Sequence, residues 1–499
     1  MGRSRRKSSI SSSSRSRSRS KSRSRSRSRS HRPRSRSGDS RPHRKHNRSK
    51  SKKSGHQGRD RSSSNDERSR SRRWSPRKPP LTSSSSAAAA ADAVAKANNG
   101  RPANGAADAK DRKHGEKTKS SSSDSSSSSN SDGSDEEEIV HFDWHAGQIL
   151  NDRYTLQTFL GDGTFGRCVL AHDRQYNCPV ALKIIRDVKR YAANAKIEAD
   201  ILKDIRRADP NGASGCSIMF DTFTHGPHFC LVFEPLGVSL YDFLKNNFFR
   251  GFWMQDLQSF AKQSMQALQF LHEGLRLAHT DLKPENILLQ TQDPPVVANF
   301  PRFDEWRDRR IAGGTPWEVG PYVRPTSTRI KIIDFGNATY EDEHHSSLIN
   351  TRQYRSPEVL LGVGWDERSD LWSIGCILME LYNGEQLFET HEELEHLALI
   401  ERIIGELPQD MLARAPKEIQ EKYLTRTSTG KYRIPWPERS SGPDSERHVY
   451  CQRPVMKQVQ PHHAQFAEFI TKILRLDPTT RLSAGKALKH PLFQCAFQD

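Results

Sequence analysis

Acidic residues are almost missing from the first 80 positions of this 499-residue chain, where 4 Asp and Glu stand against 30 Lys and Arg. The remaining residues hold 49 basic and 56 acidic side chains, so the formal charge of +19 divides into +26 at the amino-terminal end and −7 elsewhere. A uniform basic surface for nucleic acid is therefore excluded for the part of the chain that can fold. Cysteine is scarce and scattered: seven residues (168, 178, 216, 230, 376, 451 and 495), odd in number and without a C-x-x-C pair. That excludes a disulfide framework and a zinc site of that spacing, and suits a reducing compartment. Long apolar runs are also lacking. No segment approaches the roughly 20 residues a membrane span needs, and the start does not resemble a signal peptide. Met1-Gly2 is not followed by the Ser or Thr that myristoylation requires, because Arg6 occupies that place. The expectation is a soluble protein without a membrane partner.

What the amino-terminal end has instead is repetition. From Ser14 to Ser30 serine alternates strictly with arginine or lysine, and shorter Arg-Ser runs continue to about Arg73. Such a sequence cannot bury enough apolar surface to offset its ordering entropy, which predicts a disordered tail over residues 1–80. Two compatible roles follow. As a polycation it can make weak RNA contact or act as a nuclear import signal. As an Arg/Ser-rich segment it can itself be phosphorylated, each phosphate adding roughly −1.5 to −2 charge. Both place the protein in the nucleus, in speckle-like compartments. Residues 81–140 form a second low-complexity stretch, with alanines at 87–91, serines over 120–131 and an acidic end at Asp135-Glu136-Glu137-Glu138. This reads equally as a solubilising linker or an acidophilic phosphorylation site. Order is expected to begin near Ile139–Trp144, leaving residues 141–499 for one domain with a sizeable core.

Within that domain, His279-Thr280-Asp281-Leu282-Lys283-Pro284-Glu285-Asn286 and Ile333-Asp334-Phe335-Gly336 supply a base, a lysine and two metal ligands in the order a phosphoryl-transfer site needs. Asp281 would orient the attacking hydroxyl and accept its proton, and Lys283 stands two residues on. Asn286 and Asp334 would hold Mg²⁺ against the phosphates of ATP. Upstream, Gly161-Asp162-Gly163-Thr164-Phe165-Gly166 follows a strand-like run, and its glycines let backbone approach phosphate. Alone this string is equally a Gly-rich turn or a dinucleotide fingerprint. The β-rich Val180-Ala181-Leu182-Lys183 decides between them, since a dinucleotide fold would place a helix there. Lys183 is then a phosphate-contacting lysine, and Glu198, on an amphipathic helix between Val188 and Leu202, is the carboxylate that holds it.

The coarse architecture follows from periodicity. The run from His228 to Phe233 reads as a buried strand leading to a hinge at Glu234-Pro235-Leu236-Gly237. Leu257, Phe260, Ser264, Met265, Leu268 and Leu271 recur at helical spacing ahead of His279. The stretches from Asp370 to Gly375 and from Asp477 to Phe493 read as helical scaffold. Residues 291–329 are longer than a connector needs and rich in Pro, Arg and Trp. They read as a hairpin packed on its own aromatics, with an insertion that docks substrate as the alternative.

Residues 154–493 resemble a eukaryotic protein kinase catalytic domain. His279-Thr280-Asp281, the string from Asp334 to Thr339, and the string from Glu395 to Ile403 resemble its LAMMER or CDC-like branch. The last matches the signature EHLAMMERI with Leu399-Ile400 replacing two methionines, a change that keeps the apolar face of a helix. The resemblance implies an α+β, two-lobed fold, with a β-rich small lobe over about 154–235 and a mainly helical large lobe over about 236–493. It implies a monomeric, nuclear, ATP-dependent dual-specificity kinase acting on Arg/Ser-rich splicing factors and autophosphorylating on Ser, Thr and Tyr. By the same resemblance Leu160, Ala181 and Leu288 sandwich adenine, Phe233 is the gatekeeper, and Glu234 and Leu236 offer hinge backbone groups. Cys168 stands where the family usually has valine, read as a small apolar substitute. Thr351 should contact Asp281 and Lys283, Arg355 lies in the same substrate-positioning stretch, and Glu358 should pair with Arg481.

The residue before the base, arginine in most phosphorylation-switched kinases, is Thr280. The segment from Asp334 to Glu358 is accordingly expected to be active without a phosphate. Arginine-rich substrates need acidic partners, for which Glu285 and Asp242 are candidates. Three rival classes are a pseudokinase scaffold, an RNA-binding splicing factor and a cyclin-dependent-like kinase. The intact site residues weigh against the first, the lack of an RNA-recognition module against the second, and the lack of a cyclin-binding signature after Lys189 against the third.

Overall fold

The computed structural model describes residues 141–499. The Arg/Ser tail (1–80), the linker (81–140) and the first residues of the expected onset of order lie outside the described residues. The small lobe is one antiparallel sheet of six strands: β1 (Ile149–Leu150), β2 (Tyr154–Asp162), β3 (Gly166–Asp173), β4 (Cys178–Ile185), β5 (Met219–His225) and β6 (His228–Phe233), in spatial order β1-β2-β3-β4-β6-β5. Because β1 pairs with β2, the lobe begins before residue 154. Alternation along β4 sorts its side chains: Val180, Leu182 and Ile184 enter a core with Tyr154, Val169 and Val232, while Ala181 and Lys183 take the other face. Phe142 and Trp144 cover that core from the amino-terminal side.

The helix expected between Val188 and Leu202 runs further, as α1 (Lys189–Ala208). Ala195, Glu198, Ala199, Ile201, Leu202 and Ile205 form its buried face, so a glutamate sits in an otherwise apolar stripe. In the large lobe α2 (Leu240–Asn246) is capped by Ser239, whose hydroxyl accepts from the Asp242 N–H at 2.9 Å. α3 (Met254–Gln269) buries Leu257, Phe260, Met265 and Leu268, then passes through a π-helical turn (Phe270–Leu275) that ends at Arg276 with φ 56°. That turn feeds β7 (Leu277–Ala278) and the loop beginning at His279, which runs on into β8 (Ile287–Leu289).

Residues 291–329 differ from the expected self-packed hairpin. β9 (Val296–Val297) pairs with β10 (Val323–Arg324), and α4 (Phe303–Ala312) lies between them. The Phe300 and Tyr322 rings stack at 4.9 Å, but the rest is fastened to the large lobe. Arg324 grips Asp256 at 2.7 and 2.9 Å, Arg302 reaches Asp499 at 3.0 Å, and the Trp253 indole donates to the Asn299 carbonyl at 2.9 Å. Polar anchors of this kind leave no periodic trace in sequence.

α5 (Arg368–Asn383) is buried nearly throughout, the pattern of a helix in the centre of a lobe. α6 (Glu393–Ile403) buries both Leu399 and Ile400. The stretch from Asp477 to Phe493 is mostly irregular, with a short helix at Ala484–Ala487 and a 3₁₀ turn at Pro491–Gln494. Pro478 and Pro491 interrupt what hydrophobicity alone suggests. No helix among the described residues is long and apolar enough to cross a membrane. All seven cysteines are free thiols.

Candidate active site

The catalytic loop is suspended from one buried carboxylate. Asp370, at the start of α5, accepts from the His279 N–H (2.8 Å), the Thr280 N–H (3.0 Å) and His272 Nε2 (2.8 Å). Burial opposes its charge, yet these donors hold its carboxyl below the usual range. Thr280 takes φ 65°, a left-handed conformation rare for a β-branched residue, and donates through Oγ1 to the Asn337 carbonyl at 2.6 Å. Where a switched kinase carries a charged receiver, this chain ties the loop to backbone just past the Asp-Phe-Gly turn.

Asp281 is thereby held at the front of the site. Its Oδ1 accepts from the Thr351 hydroxyl at 2.8 Å and N–H at 3.2 Å, and its Oδ2 from Lys283 Nζ at 3.1 Å. Thr351 thus bonds Asp281 but makes no hydrogen bond to Lys283; the lysine reaches the same carboxylate through its other oxygen. Asn286 Nδ2 donates to the Asp281 carbonyl at 2.9 Å, which leaves its amide oxygen as the free end.

Across the cleft Lys183 Nζ bonds both oxygens of Glu198 (2.8 and 2.9 Å) and Asp334 Oδ1 (3.1 Å). Burial works against the ammonium, but the two carboxylates raise its proton affinity overall. Burial pushes Glu198 up, and Lys183 holds Asp334 down against the same penalty. Asp334 has φ 66°. The free oxygens of Asn286 and Asp334 are hard donors, the set a small divalent cation takes beside phosphate, so both residues fit as its ligands. When bound, such an ion would neutralise phosphate charge; the chain's own residues position it.

The Gly-rich turn joins β2 to β3. A Cβ on Gly166 would stand 2.3 Å from the Ile184 carbonyl oxygen, so this glycine is demanded by sheet packing. Gly161 faces open space, and a Cβ on Gly163 would meet only the Gly166 carbonyl oxygen at 3.6 Å, an ordinary contact, so the turn leaves room for phosphate. The carboxylate of Asp162 is gripped by Arg167 at 2.7 and 3.0 Å, and the Phe165 ring packs edge-on against Tyr191 of α1 at 5.3 Å. Asp162, Thr164 and Phe165 are left to serve the cradle through their backbone. Further in, half-buried Ala181, Phe233 and Leu288 and exposed Leu160 surround the hinge end. The Glu234 N–H donates to the Ile218 carbonyl at 3.1 Å. Among the described hydrogen bonds, the Glu234 carbonyl and the Leu236 N–H have no partner, the pair an adenine edge would use. Burial pushes the Cys168 thiol up to about 11, so it behaves as a small apolar group and not a thiolate.

The segment after Asp334 is tied down at successive points. Tyr340 OH donates to Asp204 of α1 at 2.9 Å, His345 stacks on Trp365 at 4.2 Å, and Trp365 Nε1 donates to the Ser346 carbonyl at 2.8 Å. Glu358 and Arg481 form a bidentate pair at 2.7 and 2.9 Å with both side chains fully buried.

Two features escaped the sequence reading. Glu380 on α5 accepts from Tyr354 OH at 2.7 Å, and burial with the charge of Glu285 pushes its carboxyl up to about 7. Lys331 on β11 (Ile330–Ile332) is 1% exposed and binds the carbonyls of Gly212 (3.1 Å) and Cys216 (2.9 Å) and the carboxylate of Glu234 (3.3 Å). A lone polar residue in an apolar strand was the available signal for Lys331, and nothing local marked Glu380.

A curled sheet over a helical lobe, with Lys183, Glu198, Asp281, Asn286 and Asp334 converging in the cleft, defines a protein kinase. The family model for the protein kinase domain matches residues 154–493. The chain is 39% identical over 359 residues to serine/threonine-protein kinase AFC1 of Arabidopsis thaliana, covering 71% of this chain and 73% of that one. It is 39% identical over 358 residues to dual specificity protein kinase CLK2 of Mus musculus, covering 71% and 66%. The crystal structure of the PF14_0431 kinase domain superposes with a TM-score of 0.64 at 40% identity, covering 72% of this chain and all of that one. The chain belongs to the LAMMER, or CDC-like, family of dual-specificity protein kinases. Membership implies ATP as phosphoryl donor and a divalent metal.

Proposed function

We propose that this kinase transfers the γ-phosphoryl group of ATP, with Mg²⁺ held by Asn286 and Asp334, to serines in Arg/Ser-rich splicing factors, and so regulates pre-mRNA splicing in the nucleus. Asp281 accepts the proton of the acceptor hydroxyl, Thr351 and Lys283 fix its carboxylate, and Lys183, held by Glu198, steadies the phosphates. One observation carries the substrate class. Asp242, Glu285 and Glu380 gather beside the catalytic loop, and none has a Lys or Arg at salt-bridge distance among the described residues. Glu285 is exposed at its surface, and desolvation by the packed loop around it, with the charges of Asp281 and Asp242, raises its carboxyl. Such unpaired acid favours a cation brought by the substrate, and an arginine neighbouring the acceptor serine supplies one. The Arg/Ser tail of residues 1–80 presents the same chemistry as an autophosphorylation target, and as a polycation it supports weak RNA contact and nuclear residence.

The test compares ATP-dependent labelling of an Arg-Ser repeat peptide with a Ser-Pro peptide lacking arginine, using the full chain and its Asp281→Asn variant. Strong labelling of the repeat is expected from wild type, falling by about 10²–10⁴ in the variant. Preference for the Ser-Pro peptide would move the enzyme to a cyclin-dependent-like specificity. Equal activity in the variant would remove Asp281 from its assigned role.

A further inference from the structure

A cavity of about 430 Å³ opens between the π-helical turn, the segment after Asp334 and the start of α5. His272 lines it and is 7% exposed. Its Nε2 faces the Asp370 carboxylate at 2.8 Å, so Nε2 carries the proton of that contact. Nδ1, on the cavity side, has no partner among the described residues. In the neutral ring that nitrogen is a lone pair, an acceptor without a donor. Carboxylates outnumber cations around it. Glu273, Glu341, Asp366 and Glu367 line the cavity, against Arg276 and Arg368. Both arginines are already engaged, Arg276 with Glu341 at 2.5 Å and Arg368 with Asp366 at 2.7 Å. Glu273 accepts from the uncharged Gln269 amide at 2.9 Å, and neither it nor Glu367 has a Lys, Arg or His at salt-bridge distance among the described residues. The Trp365 indole, stacked on His345 at 4.2 Å, forms part of the wall. Acidic side chains alone would be an ordinary solvated rim. The buried imidazole with one nitrogen unsatisfied marks a ligand site.

We propose that this cavity binds the guanidinium of an arginine in an Arg/Ser-rich substrate, at a position remote from the acceptor serine. This rests on the Arg/Ser-substrate reading. A guanidinium carries five N–H donors in one plane, enough to serve His272 Nδ1 and the carboxylate of Glu273 or Glu367 while its face lies against the Trp365 ring. An ammonium brings the charge without the plane. Reach is sufficient. An Arg-Ser run as long as the 17 residues from Ser14 to Ser30 spans roughly 55 Å when extended. A domain of this size has a radius of gyration of roughly 21 Å, so one repeat can occupy the cavity and present a serine to Asp281 together. The two acidic sites then read separate arginines of one chain, and the second holds the repeat by raising its effective concentration at the first.

The experiment uses the full chain without ATP and reads fluorescence anisotropy of two labelled Arg-Ser repeats. One has the length of the run from Ser14 to Ser30, and the other has about five residues, roughly 16 Å, too short to reach both sites. The long repeat should bind roughly tenfold tighter than the short one, and the ratio should fall below twofold in the double variant Glu273→Gln/Glu367→Gln. Taking the ratio within each variant cancels any general loss of folded protein. A long repeat with lysine in place of arginine should lose most of the advantage. Equal affinity of the long and short repeats in wild type, an advantage that survives the double variant, or an equal advantage for the lysine repeat would overturn the proposal. An advantage that appeared only in a chain whose arginines between Ser14 and Ser30 were replaced by glutamine would give the cavity to the chain's own tail and overturn it too. If neither Arg-Ser repeat binds, the substrate reading has failed. The cavity then answers to N-acetyl-arginine amide alone: a rise in Tm that the double variant abolishes retains the guanidinium site, and no rise ends it.

Discussion

The two halves of the active site are held by different kinds of bond. On the small-lobe side, Lys183 divides itself between Glu198 and Asp334, with the lysine and the aspartate partly exposed. On the large-lobe side, Asp370 beneath the catalytic loop and the Glu358–Arg481 pair behind the substrate segment are sealed from water. A buried charge stripped of its partner has nowhere to go, whereas Lys183 and Asp334, 17% and 27% exposed, keep a path along which partners can be exchanged as ligands come and leave. The base is therefore fixed before substrate arrives, while the phosphate-handling lysine is free to adjust.

Breaking a sealed pair should have the largest effect on stability. Glu358→Ala or Arg481→Ala is expected to lose about 3–5 kcal/mol in urea unfolding, because an uncompensated ion remains buried. A loss under ~1 kcal/mol would mean the pair is not sealed, and Glu358→Leu with Arg481→Met should recover most of it. Thr351→Ala removes one hydrogen bond to the charged Asp281, worth roughly 1.5–3 kcal/mol. The expected result is a fall in kcat of about tenfold or more with unchanged thermal stability.

Glu380 sharpens the comparison through pH. Its folded-state carboxyl is raised to about 7 from an ordinary 4.5, so ionising it costs folded stability. That cost is absent below about 4.5 and complete above about 7. Ionisation also supplies the charge that attracts arginine. KM for an Arg-Ser peptide should fall several-fold as pH rises through about 7, and Glu380→Gln should flatten the profile. The smallest effect expected is that of phosphatase. With Thr280 bonded to the Asn337 carbonyl and the following segment held by Asp204 and Trp365, treated enzyme should keep its activity within twofold. Abolished activity would show that a phosphate completes the segment.

Strings with fixed spacing were legible in the sequence because phosphoryl transfer constrains residue type and order together. Lys183, Asp281, Asn286 and Asp334 belong to such strings, and the fold brings them into one cleft. Glu358 and Arg481, 123 residues apart, were paired through family resemblance and lie at 2.7 Å. Glu380 was invisible because its significance comes from Tyr354 and Glu285, which only the folded chain brings near it. Residues 291–329 looked self-contained because Phe300 and Tyr322 do stack, while anchors such as Arg324 to Asp256 join positions 68 residues apart. The end of the domain misled for the opposite reason: its hydrophobicity was read correctly, but two prolines keep it from forming one helix.

Lys331 has a mechanical meaning. One ammonium bolts the carboxylate of Glu234, in the segment that would grasp adenine, to the strand that ends two residues before Asp334. Tugging on either end must drag the other or strand a charge in a dry interior. Base recognition and metal placement are thus geared together, so a compound that shifts the hinge should displace Asp334 without touching it.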